Sequence, residues 1–290
     1  MALPVLFGAN IDPVWRDVDG PLQLAVQAER DGLDLVTIQD HPYQAAFHDM
    51  WTLMSFLAAG TQRVVFVPAV ANLPLRPPAM LAKAAASFDV LSAGRLRLGL
   101  GAGAFWEAIE AMGGPRRGRK EAVDALSEAI EVIRALWSGQ RSARAGGAHY
   151  RVAGIHPGPA PSASLGIWLG AYGPRMLDLT GARADGWLPS LAYLGVDRLG
   201  EASARIDEAA HRAGRDPAVI RKVYNLNGLI TPVSEGPFYG PVRQWVDQIT
   251  DLVGAYGMNG FVYWPDRDHR RQLSLFAQEV VPAVRRVLPA

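Results

Sequence analysis

Residues 166–190 read GIWLGAYGPRMLDLTGARADGWLPS, and this segment decides the fold. The apolar run Ile167–Ala171 has strand length and stops at Gly170-Ala171-Tyr172-Gly173-Pro174. A helix follows over 174–184, with Pro174 at its first position, where a missing N–H is harmless. A second short apolar run, 186–189, closes a strand–helix–strand unit. Two strands joined through a helix run parallel. The small residues between strand and helix let a ligand approach the backbone, and the first N–H groups of a helix attract anions. The segment therefore predicts a parallel α/β fold with a phosphate cradle at one strand end.

The same alternation extends in both directions. Apolar runs predict strands over 5–10, 35–40, 64–73 and 95–101 before this unit, and over 223–230 and 261–264 after it. Helical patterns fall over 21–31, 50–61, 78–91, 120–137, 242–256 and 269–287. Val123, Leu126, Ile130, Ile133 and Trp137 step by three and four, which makes one apolar stripe. Pro282 kinks or ends the first part of the last helix. Eight strands with helical crossovers predict a (β/α)8 barrel, with a doubly wound open sheet as the other solution. Residues 138–165 form an insertion before the fifth strand, and residues 1–290 read as a single domain.

Composition narrows the function. A net charge of +1 gives no field for nucleic acid or an anionic membrane. The absence of cysteine excludes disulfides, thiolate catalysis and cysteine metal sites. No apolar run is long enough to span a bilayer, and the N-terminus has no basic region ahead of its apolar run, so the chain reads as cytoplasmic. No His/Asp/Glu spacing resembles a metal site, and no serine nucleophile elbow occurs. Hard chemistry then requires an organic cofactor.

In a barrel the chemistry sits where strands end. Strand two ends in Gln39-Asp40-His41-Pro42. Such a pair moves a proton or binds a cofactor edge; alternatively Asp40 caps backbone amides. Pro68 is unusual in a buried parallel strand and predicts a bulge or a simple strand end. Strand four ends in Gly99-Leu100-Gly101-Ala102-Gly103-Ala104, a match to the relaxed dinucleotide fingerprint without an acidic ribose partner. It reads as a glycine wall against a flat ring, or as close packing between elements. Arg175 adds charge to the Gly170–Gly173 cradle, or is a solvated surface residue.

Five stretches in this order resemble the luciferase-like flavin- and deazaflavin-dependent oxidoreductase superfamily: 36–41, 68–72, 95–103, 133–139 and 167–174. The resemblance covers nearly the whole chain. It implies a (β/α)8 barrel with FMN or the deazaflavin coenzyme F420 at its C-terminal mouth. A non-prolyl cis peptide would join Ala69 and Val70 in a bulge pressed on the ring, near Asn72, Gly101 and Gly103. The Gly170, Ala171, Tyr172 and Gly173 backbone would hold the phosphate. His41 would donate or accept a proton, and Asp40 would orient the ring edge or His41.

The Asp-His pair resembles the deazaflavin branch. The sugar-phosphate dehydrogenases of that branch place a Glu directly after the strand-four glycines, where this chain has Ala104, then Phe105 and Trp106. That departure implies a more apolar substrate pocket. The implied activity is hydride transfer between a flavin-type cofactor, F420 favoured, and a small organic substrate. The alternatives are an FMN-dependent monooxygenase fed by a separate flavin reductase, and a non-catalytic flavin-binding protein. Homodimerisation is a further expectation.

Overall fold

The computed structural model describes residues 3–16 and 20–288. Its strands are β1 (Leu6–Asn10), β2 (Leu35–Ile38), β3 (Val65–Pro68), β4 (Ala71–Asn72), β5 (Leu98–Gly101), β6 (Ala143–Gly146), β7 (Arg151–Ile155), β8 (Ile167–Leu169), β9 (Gly186–Trp187), β10 (Arg221–Ile230), β11 (Tyr239–Gly240) and β12 (Gly260–Pro265). The main sheet runs β3-β2-β1-β12-β10-β9-β8-β5-β4, with every neighbouring pair parallel. Its two ends, β3 and β4, are halves of one interrupted strand, and a Phe66–Leu96 bridge joins the first half to the chain entering β5. The ring thus closes as a (β/α)8 barrel, and the open sheet is excluded. The insertion before the fifth barrel strand holds the antiparallel hairpin β6–β7.

Two apolar layers hold the barrel. A large one packs the helices onto the outside of the strands. A smaller one plugs the interior with Leu35, Val67, Trp168, Leu188, Val223 and Val262, and Val70 packs onto it. The plug makes the barrel a solid core and confines any site to its ends. Chain direction then matters, because all eight strands point their C-terminal ends at the same mouth.

Several boundaries differ from expectation. The third strand is split at 69–70, where the bulge falls. The fifth stops at Leu169, which frees Gly170 and Ala171 for the turn. The helix Val196–Arg212 completes the sixth crossover and went unread, because its buried stripe is mostly small: Ala202, Ser203, Ala209 and Ala210 beside Leu199 and Ile206. The last helix continues through Pro282, with a π-helical turn, Phe276–Val280, directly ahead of it. A widened turn there accommodates the proline ring. No helix of the described residues is long and apolar enough to cross a membrane.

Candidate active site

A cavity of about 370 Å³ opens at the C-terminal ends of the barrel strands. Its floor is made by Val70 and Leu188, the top of the interior plug. The Ala69–Val70 peptide is cis, as the resemblance implies. Val70 projects between two glycines: a Cβ on Gly101 would lie 2.6 Å from Val70 Cγ2, and one on Gly170 would lie 3.3 Å from both methyl carbons. Gly99 is needed one layer lower, where a Cβ would fall 1.8 Å from the Pro68 carbonyl oxygen. Gly103 has φ of +100°, which favours glycine outright. Packing against the bulge therefore explains Gly99 and Gly101, while Gly101 and Gly103 also line the cavity.

Asp40 is buried beside this bulge. Its Oδ2 accepts the Asn72 N–H at 2.8 Å and the Arg76 Nε–H at 2.6 Å, and its Oδ1 accepts from Arg76 Nη2 at 2.7 Å. Arg76 also reaches Asp49, whose side chain caps the helix Met50–Ala59 by accepting the Thr52 N–H. Burial works against the Arg76 charge, but the hydrogen bonds and charges of the two carboxylates outweigh it and raise its pKa. Among the described residues Asp40 makes no hydrogen bond to His41. Its carboxylate braces the strand that leaves the bulge.

His41 lines the cavity with Nδ1 placed 2.7 Å from Tyr43 Oη. Phe105 meets the imidazole edge-on, with ring centroids 5.3 Å apart, and Tyr43 packs on both rings. Burial pushes His41 below its ordinary value of 6.5, and the Asp40 charge opposes this only in part. Burial and the Asp40 charge push the Tyr43 phenol up to about 12. At neutral pH this corner therefore holds a neutral imidazole against a neutral phenol.

The opposite wall carries the Gly170–Gly173 turn. Gly170, Tyr172 and Gly173 line the cavity; Ala171 does not, being buried with its carbonyl accepting the Trp187 indole N–H at 2.9 Å. Gly173 caps the helix Pro174–Arg183, and a Cβ there would meet nothing within 4 Å. The turn is thus open above, with first-turn N–H groups that lack helical acceptors. Arg175 does not serve it: its guanidinium pairs with Asp124 at 2.7 Å on the outer surface. Beside the turn, Asn225 Nδ2 donates to Ser190 Oγ at 3.0 Å.

Two acceptors in the cavity wall lack partners among the described residues. Asn72 Oδ1 and Asn225 Oδ1 are each buried without a hydrogen bond, although both residues are only 7% exposed. Buried amide oxygens are costly when unpaired, and these two belong to residues that line one cavity. Among the described residues no Lys or Arg side chain lines the cavity, and the one carboxylate that does, Asp40, is paired with Arg76. Among the described residues no cluster of His, Asp and Glu is suited to a metal ion.

The sequence profile of the luciferase-like monooxygenases matches residues 9–232. The chain belongs to the luciferase-like monooxygenase family. A relative in this family, the F420-dependent glucose-6-phosphate dehydrogenase of Nocardia farcinica, is 28% identical over 92% of this chain and 95% of its own. Among solved structures, an F420-dependent secondary alcohol dehydrogenase superposes with a TM-score of 0.87 at 19% identity, covering 97% of this chain and 99% of that one. The oxygenating constituent of 3,6-diketocamphane monooxygenase from Pseudomonas putida, in complex with FMN, superposes with a TM-score of 0.78 at 20% identity, covering 97% and 98%.

Against this luciferase-like frame, sequence reasoning missed four residues of the site. Tyr43 was in plain view two positions after His41, but only the loop's fold turns its hydroxyl onto Nδ1. Arg76 lies 36 residues from Asp40, beyond any local pattern. Ser190 looked like the end of an apolar run. Asn225 did carry a signal: an amide in the middle of the buried run Val223-Tyr224-Asn225-Leu226 has to face something polar.

Proposed function

We propose that this chain is a cytoplasmic oxidoreductase, a single catalytic domain over residues 1–290, that transfers hydride between F420 and a small uncharged organic substrate. The observation that carries the reading is the cavity itself: one lining brings together His41, a cis-peptide bulge, two asparagines with unpaired amide oxygens and an open helix N-terminus. The residues fit a deazaflavin or a flavin equally. Asn72 Oδ1 and Asn225 Oδ1 offer acceptors for ring or ribityl donors. Ala69 and Val70, with Gly101 and Gly103, give a flat apolar surface, and Gly170, Tyr172 and Gly173 form the cradle for a phosphate. When bound, the cofactor would supply a two-electron hydride acceptor or donor. F420 is favoured because the Nocardia relative and the secondary alcohol dehydrogenase both depend on it.

The protein's own contribution is proton management and positioning. His41, neutral and cavity-facing, takes the proton of a substrate hydroxyl or returns one to a carbonyl. Asp40 acts as a positioning residue, holding the Asn72 backbone and so the bulge. The uncharged substrate follows from the corner around His41: Tyr43, Phe105 and Ala104 line it, and among the described residues no cation lines the cavity to pair with a substrate's phosphate or carboxylate there. This separates the chain from sugar-phosphate oxidation.

Titrating the purified protein with F420 and with FMN while following tryptophan fluorescence tests the cofactor. Turnover of simple secondary alcohols with F420 tests the reaction. A second reading, an FMN-dependent monooxygenase served by a separate reductase, is favoured by the FMN-bound relative in fold. Substrate-dependent oxygen uptake with reduced FMN, and none with F420, would establish it instead. Cofactor binding without turnover of any substrate would favour a flavin-binding protein.

We also propose a homodimer. The helix Met50–Ala59 carries no charge and exposes Phe56, and the helix Pro78–Leu91 exposes Met80, Val90 and Leu91. A pair of outer helices this apolar fits a partner surface better than water. Light scattering on the eluted protein measures the state directly.

A further inference from the structure

We propose that Tyr43 is a proton-relay residue that connects His41 to solvent. This rests on the reading of His41 as the group that exchanges a proton with substrate. The geometry points to it as follows. The Nδ1 of His41 is 2.7 Å from Tyr43 Oη, and among the described residues nothing hydrogen-bonds Nε2, so Nε2 is the nitrogen left for the cavity. Phe105, packed edge-on to the imidazole, closes that side of the corner. Tyr43 lines the cavity and is itself only half-buried, so part of the side chain meets solvent. A phenol is both donor and acceptor, so it pairs with either tautomer of the imidazole.

The relay balances proton by proton. Before the step, Nδ1–H donates to Tyr43 Oη and Nε2 carries a lone pair. The substrate hydroxyl gives its proton to Nε2. The Nδ1 proton passes to Tyr43 Oη, and the original phenol proton leaves to water. Afterwards Nε2 is protonated, Tyr43 O–H donates to Nδ1, both side chains are neutral again and one proton has reached solvent. Carbonyl reduction runs the same path in reverse. Neither a free imidazolium nor a free phenolate need persist, which suits a corner where burial disfavours both charges. The titratable groups facing this pair are Asp40, whose charge is held by Arg76, and Tyr193 on the far wall.

The test is Tyr43→Phe, which keeps the ring and removes only the hydroxyl. The expected result is a kcat lowered by about 10-fold or more, part of the 10²–10⁴-fold that acid–base catalysis typically contributes. The KM and the F420 affinity should stay near wild type. Added imidazole or formate buffer should restore kcat with a saturating dependence on its concentration, a rescue that loss of mere packing would not show. In the cofactor-free protein, ¹⁵N NMR of the His41 ring, assigned with His41→Gln, should show the Nδ1 resonance moving on removal of the hydroxyl. An unchanged kcat without buffer dependence, or an unmoved Nδ1 resonance, overturns the relay. The NMR arm needs no turnover, so failure of F420 to support any reaction would sink the proposed function and leave the His41–Tyr43 pair separately judged.

Discussion

Replacing Arg76 by Met should destabilise the protein far more than a surface ion pair would. Asp40 is about as buried as a carboxylate can be, its side chain 1% exposed, and Arg76 is 18% exposed. The substitution removes both arms of the Arg76 fork and leaves the carboxylate with one remaining donor, the Asn72 N–H. Stranding a buried charge in this way costs about 3–5 kcal/mol. The lost contact to Asp49 adds little, because that carboxylate is 43% exposed. A chain of this size unfolds with an entropy near ~0.6 kcal/mol/K, so the loss corresponds to a Tm lower by about 5–8 °C.

The second variant decides the cause. In D40N/R76M the buried group is neutral and its amide oxygen still accepts the Asn72 N–H. Only unmade hydrogen bonds are then lost, about 1–2 kcal/mol, and the Tm should recover to within about 2–4 °C of wild type. Calorimetry on the three proteins makes the comparison. The brace is refuted if R76M melts within 1 °C of wild type, or if the double variant melts below R76M.

Four shorter predictions follow from the same geometry. Gly173→Ala meets no neighbour and has an ordinary φ of −88°, so the Tm should not move while F420 affinity falls by about 10-fold or more; unchanged affinity would remove the phosphate cradle. Gly101→Ala should weaken cofactor binding by pushing on Val70, and the added Val70→Ala should restore much of it; no rescue would show that the methyl acts elsewhere. Because burial holds His41 below 6.5, its neutral form dominates above that value, so kcat/KM for alcohol oxidation should be flat with respect to His41 from pH 7 upward and decline as pH falls below about 6.5. The linked stability has the same sign, since the unfolded chain takes up the proton first as pH falls; an activity limb centred above pH 7 would contradict the assignment. Finally, F56E/L91E should convert a dimer to a monomer with its barrel intact by circular dichroism; a wild type that already elutes as a monomer ends that proposal.

How much of this was legible follows from the range of each interaction. The barrel could be read because each strand is a short apolar run whose pattern is local, and the alternation of runs with helical stripes leaves few topologies. His41 and the Gly170–Gly173 turn were legible because strand ends are where barrel chemistry collects. The cis peptide entered only through resemblance, since Pro68-Ala69-Val70 has no local signature for it. The helix Val196–Arg212 escaped because small residues carry its buried face. What failed to appear was everything that depends on a partner distant in sequence: Arg76 on Asp40, Ser190 on Asn225, and Leu188 beneath the cavity.

The glycines show why such partners change an interpretation and do more than complete it. Gly99, Gly101 and Gly103 read as a wall kept bare for a flat ring. In the structure the space beside Gly99 belongs to the Pro68 carbonyl and the space beside Gly101 belongs to Val70. These residues are small so that the bulge can sit where it does, and the bulge in turn presents Val70 to the cavity. Asp40 acts on the same object from the other side, through the Asn72 N–H. Two motifs that looked like independent ligand contacts therefore converge on one short piece of backbone, residues 68–72. That convergence makes a firm forecast. Substitutions at Gly99, Gly101, Asp40 and Arg76 should be non-additive with one another, because each disturbs the same bulge. Gly173, on the opposite wall with an open Cβ position, should be additive with all four. Coupling between Gly173 and Arg76 as large as that between Gly101 and Val70 would mean that the site moves as one body, and that the division between bulge and cradle is wrong.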